Sequence, residues 1–234
     1  MPLTFEQFLN LDISFPGISF GYESWALESY LNVLEDQISH ARDQYRLRAE
    51  RELQSEQGEL EHHEYGERLL QIDEAADDQI PRFFRIGAVV SIWGLFESFI
   101  TDFAVYVRER EKVGLSFKDI RADNFRAQIE KYFEKVVKFE IPWTTAEREQ
   151  LGHLQDLRNF LAHRNGRLMD LPPDAERKIK DLVVKIQGVS VEGRTVVVTP
   201  EYIERSKQLV FDTVGRFSQQ LADKYVQPIP RAEA

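Results

Sequence analysis

The longest apolar stretch in the chain, from Ile86 to Val107, limits the fold more than any other feature of the sequence. It is about as long as a membrane-spanning helix, which needs roughly 20 apolar residues. Glu97 and Asp102 interrupt this stretch, and a carboxylate inside lipid costs free energy. We therefore predict a helix that lies in the core of a water-soluble protein, with no membrane association.

Helical periodicity continues on both sides of this stretch. A seam of apolar residues spaced three and four apart predicts a long helix that begins near Glu23; its members are Leu27, Leu31, Leu34, Ile38, Ala41 and Tyr45. Pro81 predicts the start of the next helix, over about 82–112, because proline suits a first helical turn. Two further helices are predicted over about 122–138 and 174–185.

Local signals mark the ends of the elements in the second half of the chain. Thr144 and Glu147 form a capping-box pattern that starts a helix, and Asn165-Gly166 provides its stop. Two short runs rich in valine flank Glu192-Gly193 and predict a β-hairpin over 188–199. Pro200 then starts a last helix that reaches about Tyr225.

These elements predict a mainly all-α fold: a helical bundle with long N-terminal helices and one small β-hairpin before the last helix. The length of 234 residues suits one domain. We predict an N-terminal arm over 1–22, a helical domain over 23–227 and a flexible tail over 228–234. Within the domain, the charged residues of 46–80 predict a protruding helical segment.

The composition excludes several classes of protein. The absence of cysteine excludes disulfides, thiol catalysis and zinc sites of the cysteine type, and it fits a reducing compartment. The chain shows no secretory signal, so we predict a cytoplasmic protein. The net charge of −10 opposes a broad basic surface for nucleic acid but leaves room for a small local cleft.

A possible metal-ligand cluster lies between Glu59 and Glu67, where His62, His63 and Glu64 stand close together in the sequence. Its surroundings are uniformly charged, which favours a solvated helix face over a metal site. We therefore expect neither a metal nor another cofactor.

The segment LQDLRNFLAHRNG, residues 154–166, carries the chemistry of the chain. Arg158 is a permanent cation and His163 titrates near neutral pH, so together they can hold a phosphate and transfer protons around it. On a helical wheel Arg158 falls among apolar residues, namely Leu151, Leu154, Leu161 and Ala162. An inward guanidinium needs a partner, and Glu97, on the apolar side of its own helix, is the expected one.

His163 lies five residues after Arg158, which is about 140° around a helix. The two side chains therefore converge either if the helix ends between them or if two chains pair across a symmetric interface. A purely structural salt bridge between Glu97 and Arg158, and an ordinary histidine at a helix end, stay open as alternatives.

The string LRNFLAHRNG resembles the signature of the HEPN superfamily, the higher eukaryotes and prokaryotes nucleotide-binding helical domains. That signature is an arginine, four to six residues and a histidine, often with a polar residue after the arginine. Arg158, Asn159 and His163 match it with a gap of four residues. The segment VVSIWGLFESFITDF resembles the hydrophobic helix of the family with its inward acidic residue, here Glu97. The resemblance covers residues 24–225, and these two segments are its specific part.

The resemblance implies a homodimer whose two motifs meet in a shared cleft and cleave RNA without a metal. The ribose 2′-hydroxyl attacks the adjacent phosphate and leaves a 2′,3′-cyclic phosphate and a 5′-hydroxyl. By this resemblance Arg158 and His163 are catalytic, and Asn159 and Glu97 support them. Arg164 and Arg167, which follow in the slightly basic segment 164–185, are the expected further RNA contacts.

Many members of this superfamily are toxins or antiphage defence effectors, so an antitoxin or another partner protein is expected beside RNA. Other members have lost activity. Two alternatives therefore stand: a catalytically inactive interaction module that binds through its charged 46–68 segment, and a nucleotide-binding accessory of a nucleotidyltransferase.

Overall fold

The computed structural model describes Asp12, residues 14–56, Gly58 and residues 60–226. In this part of the chain helices form most of the structure, and the sheet is a single pair of antiparallel strands. This confirms the mainly all-α prediction with a small hairpin before the last helix. The predicted tail and most of the predicted arm lie outside the described residues.

The helices and strands follow one another along the chain as α1 (Gly17–Asn32), α2 (Leu34–Glu56), α3 (His62–Glu74), α4 (Ile80–Glu111), α5 (Phe125–Glu130), α6 (Thr145–Arg164), α7 (Pro173–Lys185), β1 (Val189–Glu192), β2 (Thr195–Val198) and α8 (Pro200–Tyr225). Two π-helical turns, Ala75–Gln79 and Lys131–Val137, join α3 to α4 and extend α5. A 3₁₀ turn, Phe117–Asp119, lies between α4 and α5.

The first helix differs from its prediction at both ends. It begins at Gly17 rather than near Glu23, and a turn at Val33 separates it from α2, so the predicted seam is shared by two helices. Pro16 accounts for the early start, since the N–H of Phe20 donates to the carbonyl of Pro16 at 3.1 Å. Proline is well suited to a first helical turn. Pro81 stands at the start of α4 as predicted, but the π turn Ala75–Gln79 joins that helix to α3 without a break.

The predicted ends of α6 are confirmed. The N–H of Thr144 donates to Glu147 Oε2 at 2.8 Å, and the N–H of Glu147 donates to Thr144 Oγ1 at 3.2 Å, which completes the capping box. Asn165 and Gly166 have φ of 52° and 74°, and this left-handed backbone ends the helix.

The described part of the chain forms two compact units, and α1, α4, α6 and α8 each contribute residues to both. Of the residues that the structure describes, the first unit contains those up to Ala26, Ile92–Leu154 and those from Lys207 to Val226. Its core is aromatic; the rings of Phe133 and Phe217 pack edge to face with centroids 4.8 Å apart. Fully buried with them are Trp93, Phe96, Phe99, Phe103 and Tyr132.

The second unit contains Leu27–Ser91 and Gln155–Ser206. Here ion pairs join α2 to the end of α3 and the π turn that follows it. Arg46 contacts Asp73 at 2.9 Å and Asp77 at 3.0 Å, and Arg42 also binds Asp77. The charged segment of the sequence therefore contains two helices held together by their own opposite charges.

One continuous helical run, His62–Glu111, is long and apolar enough to cross a membrane by length and composition alone. Of its most apolar window, 44% is buried inside the protein, and Val89, Ile92 and Trp93 on the same run are 0% exposed. Asp102 is exposed and Glu97 is half-buried on this run. The structure thus agrees with the prediction of a core helix.

Candidate functional site

The last three turns of α6 carry the Arg158 and His163 motif within the second unit. Leu157 and Leu161 are 0% and 1% exposed, so the helix is anchored by its apolar side. Arg158 and Asn159 are half-buried, and Arg158 Nη1 donates a hydrogen bond to Asn159 Oδ1 at 3.0 Å. The polar residue that follows the arginine thus directly orients its guanidinium.

His163 lies in the last turn of α6 and is exposed. It makes no hydrogen bond or ion pair with any residue that the structure describes. The imidazole is therefore open to solvent and can exchange protons with a bound molecule.

Since α6 does not end between Arg158 and His163, the first of the two conditions for their convergence is not met. The helix continues through His163 to Arg164, because the left-handed residues that stop it are Asn165 and Gly166. The offset of about 140° between the two side chains therefore persists within one chain. The remaining way for Arg158 and His163 to share a site is for two chains to pair, so that Arg158 of one chain lies near His163 of the other.

Glu97 belongs to the first unit, whereas Arg158 belongs to the second. Glu97 is half-buried on α4, and its main-chain carbonyl accepts a hydrogen bond from Thr101 Oγ1 at 2.7 Å. Both charged side chains take part in interactions within the protein, so neither is a free charge. Their predicted salt bridge with each other stays a prediction.

The loop that follows the motif is joined to the hairpin by main-chain hydrogen bonds. The N–H of Val196 donates to the carbonyl of Gly166 at 2.8 Å, and the N–H of Leu168 donates to the carbonyl of Arg194 at 2.9 Å. Arg167 also forms an antiparallel bridge with Thr195. These bonds show that the hairpin holds the loop at the C-terminal end of α6 in place.

Arg164 and Arg167, the predicted RNA contacts, are both exposed. The fold adds a third arginine that sequence reasoning missed, Arg82 at the start of α4. Its Cδ lies 3.7 Å from the position that a Cβ on Gly166 would occupy. Burial and the nearby charge of Arg167 lower the pKa of Arg82. The loop that follows α6 therefore has one more basic side chain near it than the neighbouring sequence contains.

Metal-ligating side chains do not assemble near this site. Among residues 12, 14–56, 58 and 60–226, no group of three or more histidine, aspartate or glutamate side chains could hold a metal ion. In the histidine-rich segment His63 Nδ1 lies 3.4 Å from Glu61 Oε2, and both side chains are exposed. Glu59 falls outside the described residues.

No protein family model matches this chain, and no curated protein and no solved structure is significantly similar to it.

Proposed function

We propose that this protein is a HEPN-type, metal-independent endoribonuclease that works as a homodimer. One observation carries the proposal. A single helix holds Arg158 and Asn159 in hydrogen-bonded contact and presents the exposed imidazole of His163 at its end. These are the side chains that match the superfamily signature in the sequence, in the same order and spacing.

The chemistry of these groups suits cleavage by the ribose 2′-hydroxyl. A neutral His163 accepts the proton of that hydroxyl as its oxygen attacks the phosphorus, and a protonated histidine donates a proton to the departing 5′-oxygen. The guanidinium of Arg158 stabilises the charge that develops on the phosphorane. Asn159 holds the guanidinium in place through its Oδ1, so its role is positioning.

The need for two proton-transfer groups supports a dimer. One chain supplies one motif histidine, and α6 keeps Arg158 and His163 on different faces of the helix. A second copy related by a two-fold axis brings the second histidine and faces its own α6 toward the first. Each cleavage site then draws residues from both chains.

The proposal includes a cytoplasmic setting and a role as a toxin or antiphage effector, with an antitoxin or partner protein as a further ligand. A chain without cysteine is suited to a reducing compartment. A nuclease that acts on cellular RNA also needs a means of restraint, which a bound partner provides.

The test is RNA cleavage in EDTA by the wild-type protein and by His163→Ala. We expect a loss of roughly 100-fold or more in the variant, because general acid–base catalysis contributes at least that factor. The products should carry a 2′,3′-cyclic phosphate. His40→Ala is the matched control, since His40 is also exposed and lies on α2 in the same unit.

A mixing experiment examines the dimer. His163→Ala protein added in excess to the wild type is expected to lower the cleavage per wild-type chain, because a mixed dimer has one motif histidine where cleavage needs two. Equal cleavage by wild-type and His163→Ala protein, or cleavage by neither, would refute the enzymatic proposal.

A second candidate function is an interaction module without catalysis. It is favoured by exposed leucines on the charged helices, since Leu47 on α2 is 47% exposed and Leu70 on α3 is 70% exposed. A contiguous apolar patch rimmed by polar residues marks a surface for a protein partner, and this candidate requires these leucines to belong to one. Robust partner binding that is lost in Leu70→Ser, together with no cleavage by the wild type, would favour this candidate.

A further inference from the structure

A cavity of about 490 Å³ in the second unit adjoins the exit of the motif helix. One wall consists of Glu74, the π turn and the start of α4, and the facing wall is the hairpin with strand β2. The strand in this wall is the one that bonds to the motif loop through Val196 and Gly166. Whatever enters the cavity therefore lies next to the segment that follows His163.

Two of the charged residues around the cavity are already neutralised. Asp77 is bound by Arg42 and Arg46. Arg85 donates two hydrogen bonds to Glu35, from Nε at 2.9 Å and from Nη2 at 2.7 Å. Bidentate pairs of this kind are satisfied by themselves and need no ligand.

Arg82 differs from these residues. Its Nε is buried and has no hydrogen-bond partner within the described ranges. Its contacts are electrostatic attraction to Asp78 and Glu74, repulsion from Arg167 and a loose approach to the ring of Phe83 at 5.8 Å. A buried guanidinium nitrogen without an acceptor is costly, so the site is suited to a ligand that supplies one.

Two carboxylates in the same cavity also have unused acceptors. Asp78 makes no hydrogen bond or ion pair in the part of the chain that the structure describes, and Glu74 accepts only a long bond from Gln79 Nε2 at 3.5 Å. Asp78 lies in the π turn Ala75–Gln79. Such turns are rare and occur frequently at functional sites.

Asp78 and Glu74 are exposed to solvent, and a ligand that uses all of these groups accepts hydrogen bonds from the arginine and donates them to a carboxylate. A phosphate group meets only the first requirement, and the carboxylates of Glu74, Asp78 and Glu192 would repel it. Guanine meets both requirements. Its O6 and N7 accept a bidentate pair from arginine, and its N1–H and N2 amino group present two adjacent donors on the neighbouring Watson–Crick edge.

We propose that this cavity binds an unpaired guanine base of the RNA substrate. Arg82 donates to O6 and N7, and Asp78, with Glu74 beside it, accepts from N1 and N2. The inference rests on the proposed function for its ligand, because it names the base that lies next to the cleavage motif. It requires single-stranded RNA, since the N1 and N2 edge is occupied in a base pair.

The experiment measures the binding of nucleosides by calorimetry, because a nucleoside has no phosphate to engage Arg158. Guanosine should bind most tightly, inosine should bind more weakly because it lacks the N2 amino group, and adenosine, cytidine and uridine should bind weakest. Arg82→Gln and Asp78→Asn should each lower the affinity for guanosine by roughly tenfold. Arg177→Gln is the control, because Arg177 forms an exposed ion pair with Asp174 on α7.

A second measurement uses anisotropy of five-residue RNAs on His163→Ala protein, with guanine, inosine or adenine at the centre. Equal affinity for all bases, no binding of guanosine, or guanosine affinity unchanged by Arg82→Gln would overturn the inference. The two proposals fail separately. Guanosine binding without His163-dependent cleavage would refute only the nuclease proposal. His163-dependent cleavage without a preference for guanine would refute only the guanine site.

Discussion

The substitution Gly166→Ala tests how much the contact between the hairpin and the loop after α6 contributes to stability. Gly166 has φ of 74°, a conformation that costs a residue with a side chain about 1–2 kcal/mol. In addition, the new Cβ would lie 2.9 Å from the main-chain oxygen of Val196, which cannot rotate away as a side chain can. Overpacking of this kind costs about 1–3 kcal/mol.

The two effects together predict that Gly166→Ala lowers the free energy of unfolding by about 2–5 kcal/mol. Gly193→Ala is the matched control. Gly193 lies in the turn of the same hairpin with φ of 58°, but a Cβ there would have no neighbour within 4 Å. We expect it to lose only the conformational part, about 1–2 kcal/mol.

Urea unfolding of the wild type and the two variants measures these differences in free energy. Amide hydrogen exchange gives a local reading, because the N–H of Val196 donates to the carbonyl of Gly166. Protection of this amide should fall in Gly166→Ala and stay close to the wild type in Gly193→Ala. If both variants lose the same free energy of unfolding and keep the same protection at Val196, the close approach of β2 to the motif loop does not contribute to stability, and the reasoning is refuted.

Two other predictions concern stability. Burial raises the pKa of Tyr202 to about 12, and burial with the Asp12 carboxylate raises that of Tyr106 to about 12. The unfolded chain releases these protons near pH 10.0, so the free energy of unfolding should fall between pH 10.0 and about 12, and urea titrations should show a smaller fall in Tyr202→Phe. Leu157→Ala should cost about 2–5 kcal/mol by the same assay. Val184→Ala, at a side chain 87% exposed, should cost less than about 0.5 kcal/mol; equal losses would contradict the assigned core.

The sequence predicted those features of the fold that depend on neighbouring residues. These are signals that act within one helical turn. Pro200 begins α8, the capping box at Thr144 begins α6, and Asn165-Gly166 end α6. The hairpin was predicted with its loop one residue too early, since Glu192 pairs with Thr195 and the loop is Gly193-Arg194. The π turns carry no comparable local signal.

The candidate site was predictable to the same extent. Arg158, Asn159 and His163 lie on one helix, so their spacing in the sequence fixes their relative directions. Arg82 lies far away in the sequence, and only the packing of α4 beside Gly166 brings it to the motif loop. The π turn that supplies Asp78 was equally hidden, because the extra residue in such a turn is tolerated through tertiary contacts, here the arginines that bind Asp77.

The overall charge of the chain gives these contacts their importance. A protein with a net charge of −10 repels a polyanion at long range, so attraction spread over its surface cannot supply the affinity for RNA. If the protein binds RNA as proposed, the affinity must come from short-range contacts at the few places where basic side chains collect, and Arg82 and Arg167 form one of them beside the motif. In such a protein a base-specific contact contributes a larger share of the binding free energy than it would on a basic surface. We therefore expect the proposed nuclease to be selective for its RNA, because few other contacts would hold a non-cognate strand.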